Sequence, residues 1–165
     1  KVSNHMSTLS VDTIQGQTTA ANVKLPAGSV LQTIHSQTTT SQTTTSSTYV
    51  DSDLHVTITP KYSNSKILVR ASVSLYNPDN ASVATATFKR GSTVLTSATY
   101  GLGYIYTASA GGHVNQIPIE VLDSPSTTSA TVYRVMFSRG YVNTGTAYVS
   151  VNGTVSSITA MEIAQ

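Results

Sequence analysis

A chain of 165 residues is long enough to bury one sizeable core and short for two, because single cores commonly take about 100–200 residues. The formal net charge is +2, and only 10% of the residues are charged. The Lys and Arg residues are scattered, which excludes a basic stripe for nucleic acid and a polybasic patch for a membrane surface. Cysteine is absent, so neither a disulfide framework nor a thiolate metal site is available.

Ser and Thr together number 51, close to a third of the chain, while Trp is absent. Thr, Val, Ile and Tyr suit pleated, half-buried surfaces, and long helices need more Glu, Lys, Leu and Ala than this. The composition therefore predicts an all-β protein. No apolar run approaches the roughly 18 residues that span a bilayer, and the first residues lack the charged-then-apolar pattern of a signal peptide. A soluble chain without membrane insertion is expected.

Taken in order, residues 1–5 precede Met6-Ser7-Thr8, an ordinary start, and read as a cloning remnant. Residues 6–28 carry sparse apolar positions, Leu9, Val11, Ile14, Val23 and Leu25, too few to fold alone. This segment is expected to be extended and to attach to something or intertwine with it. Residues 29–165 form the predicted domain. Its first strand runs over 29–37, with Val30, Gln32 and Ile34 on one face. The Thr/Ser tract at 37–48 has no Gly or Pro and is expected to be a strand exposed on at least one face.

Leu54, Val56 and Ile58 then alternate with polar residues, as do Ile67, Val69, Ala71, Val73 and Leu75. Pro60 and Ser63-Asn64-Ser65 lie between the two runs, and the pattern predicts two half-buried strands joined as a hairpin. Asn77-Pro78-Asp79-Asn80 is a turn signal. A second hairpin is predicted from strands over 83–89 and 93–100, with Ala84, Ala86 and Phe88 on one face and Gly91 in the turn. The segment from Gly101 to His113 is the least regular and is expected to be a glycine-rich loop.

Ile117, Ile119 and Val121 alternate past Pro118, whose missing N–H points to an edge strand or a bulge. After a loop at Asp123–Ser129, strands are marked by Tyr133, Val135 and Phe137, by Ala147, Val149 and Val151, and by the apolar run from Ile158 to Ile163. About eight to ten short strands without a repeat of about 40 residues predict a jelly-roll-like antiparallel β-sandwich rather than a propeller. A core so rich in Thr and poor in Leu and Phe would gain from oligomeric burial.

The order of Val11-Asp12-Thr13-Ile14-Gln15, Leu25-Pro26-Ala27-Gly28-Ser29-Val30-Leu31-Gln32, Val56-Thr57-Ile58-Thr59-Pro60, Ser65-Lys66-Ile67-Leu68-Val69, Phe88-Lys89-Arg90-Gly91, Leu122-Asp123-Ser124-Pro125 and Ala160-Met161-Glu162-Ile163 resembles that of virion fibre proteins from marine and cyanobacterial tailed bacteriophages. The resemblance covers nearly the whole chain from Met6. It rests on the order of the motifs, since each alone is a strand or turn signature. It implies a virion protein on the exterior of the capsid or tail. The N-terminal segment would attach to other virion proteins or intertwine with sister chains, and a β-sandwich head, commonly trimeric, would face the host. The long repetitive shaft of many such proteins is absent, which leaves a tail fibre, a short spike and a capsid fibre open.

Within that frame, Tyr100, Tyr104 and Tyr106 are candidate receptor-binding residues, because a tyrosine offers a flat apolar face for stacking on a sugar ring and a hydroxyl for its polar groups. The competing role for Tyr104 and Tyr106 is packing into the core or across a subunit interface. Asn77, Asp79 and Asn80, and the loop Asp123–Ser129, are further polar candidates that also read simply as turns. Host glycan or protein is the expected partner, together with sister copies of the chain.

No cofactor or metal is expected. Asp51-Ser52-Asp53 has a calcium-like spacing but lacks the roughly six oxygen ligands needed, and His35, His55 and His113 lack the spacing of a two-histidine motif. An enzyme would have to draw its acids from Asp12, Asp51, Asp53, Asp79, Asp123, Glu120 and Glu162, and no nucleophile elbow, phosphate loop or zinc signature accompanies them. A non-enzymatic protein is predicted. A decoration protein without receptor binding and a glycan depolymerase remain the alternatives.

Overall fold

The computed structural model describes residues 25–96, 99–109, 111–140 and 145–165. Most of the predicted attachment segment, including Leu9, Val11, Ile14 and Val23, lies outside the described residues. Leu25 is exposed. The rest is all-β: β1 (Val30–Thr38), β2 (Gln42–Thr44), β3 (Val50–Ile58), β4 (Lys66–Tyr76), β5 (Ser82–Arg90), β6 (Thr93–Val94), β7 (Gly103–Thr107), β8 (Val114–Asp123), β9 (Thr131–Ser138), β10 (Ala147–Val149) and β11 (Ser156–Ile163).

The strands form two antiparallel sheets. In the first, β4 pairs with β8 along one side and with β11 along the other, and β1 pairs with β11. Short β10 continues the line of β11 past Leu75 and Tyr76, and β2 continues that of β1. The second sheet runs β3-β9-β5, with the far side of β5 shared by β7 at its start and β6 at its end.

The alternation read from the sequence sets the inner faces. Ile67, Val69, Ala71, Val73 and Leu75 of β4 and Ile158 and Ala160 of β11 meet Leu54, Val56 and Ile58 of β3 and Tyr133, Val135 and Phe137 of β9, all buried. β5 is buried along both faces from Ser82 to Phe88. Burying each large apolar side chain contributes about 1.5–3 kcal/mol, so this interlayer supplies the drive for the two sheets to close on each other.

The two central runs are strands as expected, but they do not form a hairpin. β3 belongs to one sheet and β4 to the other. The connection between them is an arch across the sandwich, closed by a turn in which the Ser65 N–H donates to the Tyr62 carbonyl at 3.2 Å. A buried carboxylate holds it: Glu162 of β11 accepts the Lys61 N–H at 2.7 Å, the Tyr62 N–H at 3.3 Å and the Gln32 amide at 2.6 Å. An alternating strand followed by a turn and another alternating strand looks the same for a hairpin and for an arch, because both bury every second residue.

The second hairpin is also shorter than expected. β6 pairs for only two residues, Thr93 and Val94, and the pairing with β5 then passes to β7, from Ala86↔Gly103 to Ser82↔Thr107. The Thr/Ser tract gives a three-residue strand, β2, and its other hydroxyls make local turns, such as Thr38 Oγ1 accepting the Thr40 N–H at 3.1 Å. Val151, expected on a strand, lies in a 3₁₀ turn over Val151–Gly153. Pro118 falls on β8, which pairs only with β4 among the described residues, in keeping with an edge position.

Candidate functional site

Residues 103–107 are a strand rather than part of a loop, and alternation along it decides where each tyrosine goes. Ile105 and Thr107 point inward and are buried, which turns Tyr104 and Tyr106 outward with 51% and 57% of their surface exposed. The core-packing role weighed for these two side chains is therefore not the one they play in the chain described. Tyr100, 41% exposed, lies against Tyr104 with ring centroids 4.8 Å apart and planes tilted by 31°. The three side chains form an exposed aromatic surface along β7.

Two glycines allow this placement. Gly101 has φ +64°, and a Cβ there would come within 2.6 Å of the Tyr49 hydroxyl and into the Ala86 carbonyl. At Gly103 a Cβ would lie 2.6 Å from Ile117 Cγ2. A glycine at each position brings the backbone against its neighbours, and the tyrosines beside them inherit a fixed base. Tyr104 and Tyr106 pair across the ladder with Thr85 and Val83, both buried, and Thr85 Oγ1 is bonded to Ser138 Oγ at 2.8 Å. Tyr49 reaches the same ground from the start of β3. Burial pushes its hydroxyl's pKa up, with the Thr85 hydroxyl partly offsetting that. Sequence reasoning passed over Tyr49, because it sits at the end of a featureless Ser/Thr tract.

Asn77, Asp79 and Asn80 divide. Asn77 is fully buried; its side-chain oxygen accepts the Asp79 N–H at 3.0 Å and the Ser82 hydroxyl at 2.5 Å, and its carbonyl accepts Thr107 Oγ1 at 3.0 Å. It builds the turn and offers no surface. Asp79 Oδ2 accepts the Thr146 N–H at 2.7 Å, tying this turn to the β9–β10 connection. Asn80 is exposed. The turn adjoins the start of β5 and so lies at the Tyr106 end of the aromatic surface. The Asp123–Ser129 loop does not join it. Asp123 pairs with Ile67 at the beginning of β4, whereas Asn77 follows its end, so the two loops occupy opposite ends of the sandwich. At the far end, Gly91 and Ser92 face Pro125 and Thr127 across a groove of about 380 Å³.

Three further acids are engaged elsewhere. Asp51 receives Lys89 Nζ at 2.6 Å. Glu120 pairs with Arg70 at 2.7 Å on the outer face of the first sheet. Glu162 sits on the inner face of that sheet, so the two glutamates do not confront each other across a cleft. Burial alone would raise the Glu162 pKa, but hydrogen bonds from Gln32 and from the Lys61 and Tyr62 amides, with the Ser65 hydroxyl nearby, outweigh it and leave the pKa lowered. His35 Nδ1 lies 2.9 Å from Thr159 Oγ1, and His55 Nδ1 lies 2.8 Å from the Asp53 carbonyl. Among the described residues no three His, Cys, Asp or Glu side chains gather where they could hold a metal ion. No described helix is long and apolar enough to cross a membrane.

The geometry thus defines an all-β protein, a sandwich of two antiparallel sheets with exposed tyrosines on and beside the strand β7. No family model matches the chain, and no curated protein matches it closely enough to be called a relative.

Proposed function

We propose that this chain is a virion fibre protein of a tailed bacteriophage whose β-sandwich head, assembled as a homotrimer, binds a host surface glycan or protein during adsorption. The observation that carries the reading is the Tyr100, Tyr104 and Tyr106 surface: three large aromatic side chains left in solvent by a strand whose inward positions are filled. Exposed aromatics on a rigid ladder lose little side-chain freedom on binding and present faces to sugar rings or to a protein surface. Asn80 at the adjoining turn supplies a polar margin, and Asp79 braces that turn through Thr146.

The strand order supports a jelly roll in particular. The eight longer strands run β1-β11-β4-β8 in one sheet and β3-β9-β5-β7 in the other, so successive strands mostly alternate between sheets, as they do when a long antiparallel ribbon is wound into a barrel-like sandwich. Viral capsid and lectin domains use this architecture. Three copies in one rigid trimer would give avidity from sites that are individually weak, through effective concentration alone.

The test is competition. Purified protein added to susceptible cells before phage should reduce adsorption, and an antibody masking β7 should do the same on intact particles. Unchanged adsorption in both experiments would reject the reading in favour of a decoration protein, and shortening of host polysaccharide on incubation would point to a depolymerase.

A further inference from the structure

The outer face of the first sheet differs from the tyrosine-bearing surface. Its cross-strand rungs can be followed from strand to strand. One rung runs Thr33, Met161, Leu68, Leu122, and the next His35, Thr159, Arg70, Glu120. Before them, Val30 pairs with Ile163, which pairs with Lys66. Val30, Ile163, Met161, Leu68 and Leu122 therefore make one continuous apolar patch across four strands. Val30 is 52% exposed and Leu122 is 56% exposed, while the other three are half-buried. Beside the patch the face dips into a shallow hollow of about 620 Å³ bordered by Arg70, Glu120, Thr159 and Met161.

We propose that this face is the surface through which copies of the chain associate, with the apolar patch turned toward the symmetry axis where equivalent residues meet. The inference rests on the homo-oligomer reading above and adds to it which surface is used. Three features select a second copy as the occupant. First, Arg70 and Glu120 stand side by side on one rung, largely in solvent, and pair with each other across the strands. A face that carries both signs next to each other is complementary to itself, because Arg70 of one copy can meet Glu120 of another. Second, β4 and β8 run for 11 and 10 residues. With β1 and β11 at 9 and 8 residues, the four strands cover roughly 600 Å², about three quarters of the roughly 800 Å² that each partner gives to a standard interface. Third, the β8 edge of this sheet is poorly suited to adding a strand, because Pro118 in the middle of it has no N–H to donate, so on that side association falls to the face.

Solution mass gives the test, with Leu122→Asp and Met161→Asp placed in the patch and circular dichroism as the control for folding. The wild-type protein is expected to be an oligomer. Each variant is expected to raise the dissociation constant by about a hundredfold or more and to shift the mass toward the 17.3 kDa of one chain. Should an Asp variant fail to fold, Arg70→Glu serves instead: it should weaken assembly, and Arg70→Glu with Glu120→Arg should restore it. The lack of cysteine permits a second readout, since Leu122→Cys should form a disulfide between copies under oxidation while Ser92→Cys, in the β5–β6 turn, should not. An oligomer that survives the patch variants and does not cross-link through Leu122→Cys overturns this surface and leaves the oligomer reading standing. A monomeric wild-type protein overturns both.

Discussion

Arg90, at the end of β5, reaches across to Asp123, at the end of β8, and one guanidinium nitrogen, Nη1, lies 2.8 and 2.7 Å from the two carboxylate oxygens. The contact joins the two sheets at the end opposite the Asn77 turn. The buried Tyr133 of β9 donates its hydroxyl to the same carboxylate at 2.6 Å. Burial, and then the Asp123 carboxylate, raise the Tyr133 pKa, so the phenol stays protonated and remains a donor throughout the ordinary pH range.

Removing Asp123 leaves a cation and a buried phenol without their acceptor. Asp123→Ala is expected to destabilise the domain by about 2–3 kcal/mol, just below the roughly 3–5 kcal/mol that breaking a fully buried ion pair costs, because Arg90 keeps some access to water. Urea unfolding followed by circular dichroism measures it. A loss below about 0.5 kcal/mol would mean the clamp contributes no more than an ordinary surface pair.

Glu162 gives the acid limb of stability a specific owner. Its folded pKa lies below the ordinary glutamate value of 4.5, so as pH falls past that value the unfolded chain takes up the proton first. The stabilisation is present in full above pH 4.5 and is lost as pH falls through the lowered folded pKa. Glu162→Gln should be less stable than wild type near neutrality, since its amide oxygen can accept from the Lys61 and Tyr62 N–H groups only by turning its NH2 donor toward the donating Gln32 amide nitrogen. Its stability should also change less between pH 5 and pH 3. Urea midpoints at a series of pH values decide the matter, and an acid slope equal to that of wild type would count against Glu162.

Tyr104→Ala and Tyr106→Ala remove exposed side chains whose backbone is held by β5, so the unfolding midpoint should move little, within about 0.5 kcal/mol in free energy. Under the proposed receptor role, binding to susceptible cells should weaken by at least about tenfold for the double variant. Retained binding would move the contact surface elsewhere on the head. Asn80→Ala should have a smaller effect, and Asn77→Ala should act on stability instead.

Gly101→Ala forces a Cβ toward the Ala86 carbonyl and the Tyr49 hydroxyl at a positive φ. A cost of about 2–4 kcal/mol is expected from strain and overcrowding together. Thermal unfolding should show it, whereas Gly91→Ala, where nothing lies within 4 Å of the added carbon, should cost less. Equal losses at the two sites would mean that backbone strain alone accounts for the effect.

The strands themselves were legible because alternation is a local property. Ile67 to Leu75 and Leu54 to Ile58 announce their buried faces in the sequence, and the structure buries the residues so identified. Pairing was less legible. Whether the chain after Ile58 turns back beside its neighbour or crosses to the other sheet depends on Glu162, about a hundred residues later, and nothing near Pro60 reports that carboxylate. The tyrosines were found by type, since Tyr among glycines stands out, but their exposure follows from the parity of a single strand, with Ile105 inward. The apolar patch escaped notice for a related reason. Val30, Leu68, Leu122, Met161 and Ile163 come from four distant strands and gather only once the register is known.

β11 lies between β1 and β4, with its residues paired to partners as far as 133 positions away, as Ile163 is from Val30. A ribosome making this chain must therefore deliver β11 before the first sheet has a middle, and until then β1 and β4 have a gap between them where a long row of backbone donors and acceptors waits. Folding is expected to be slow for a domain of this size, since distant ends must meet before either sheet gains from their pairing. At high local concentration the nascent chain would be most open to mispairing with its own sisters during that interval.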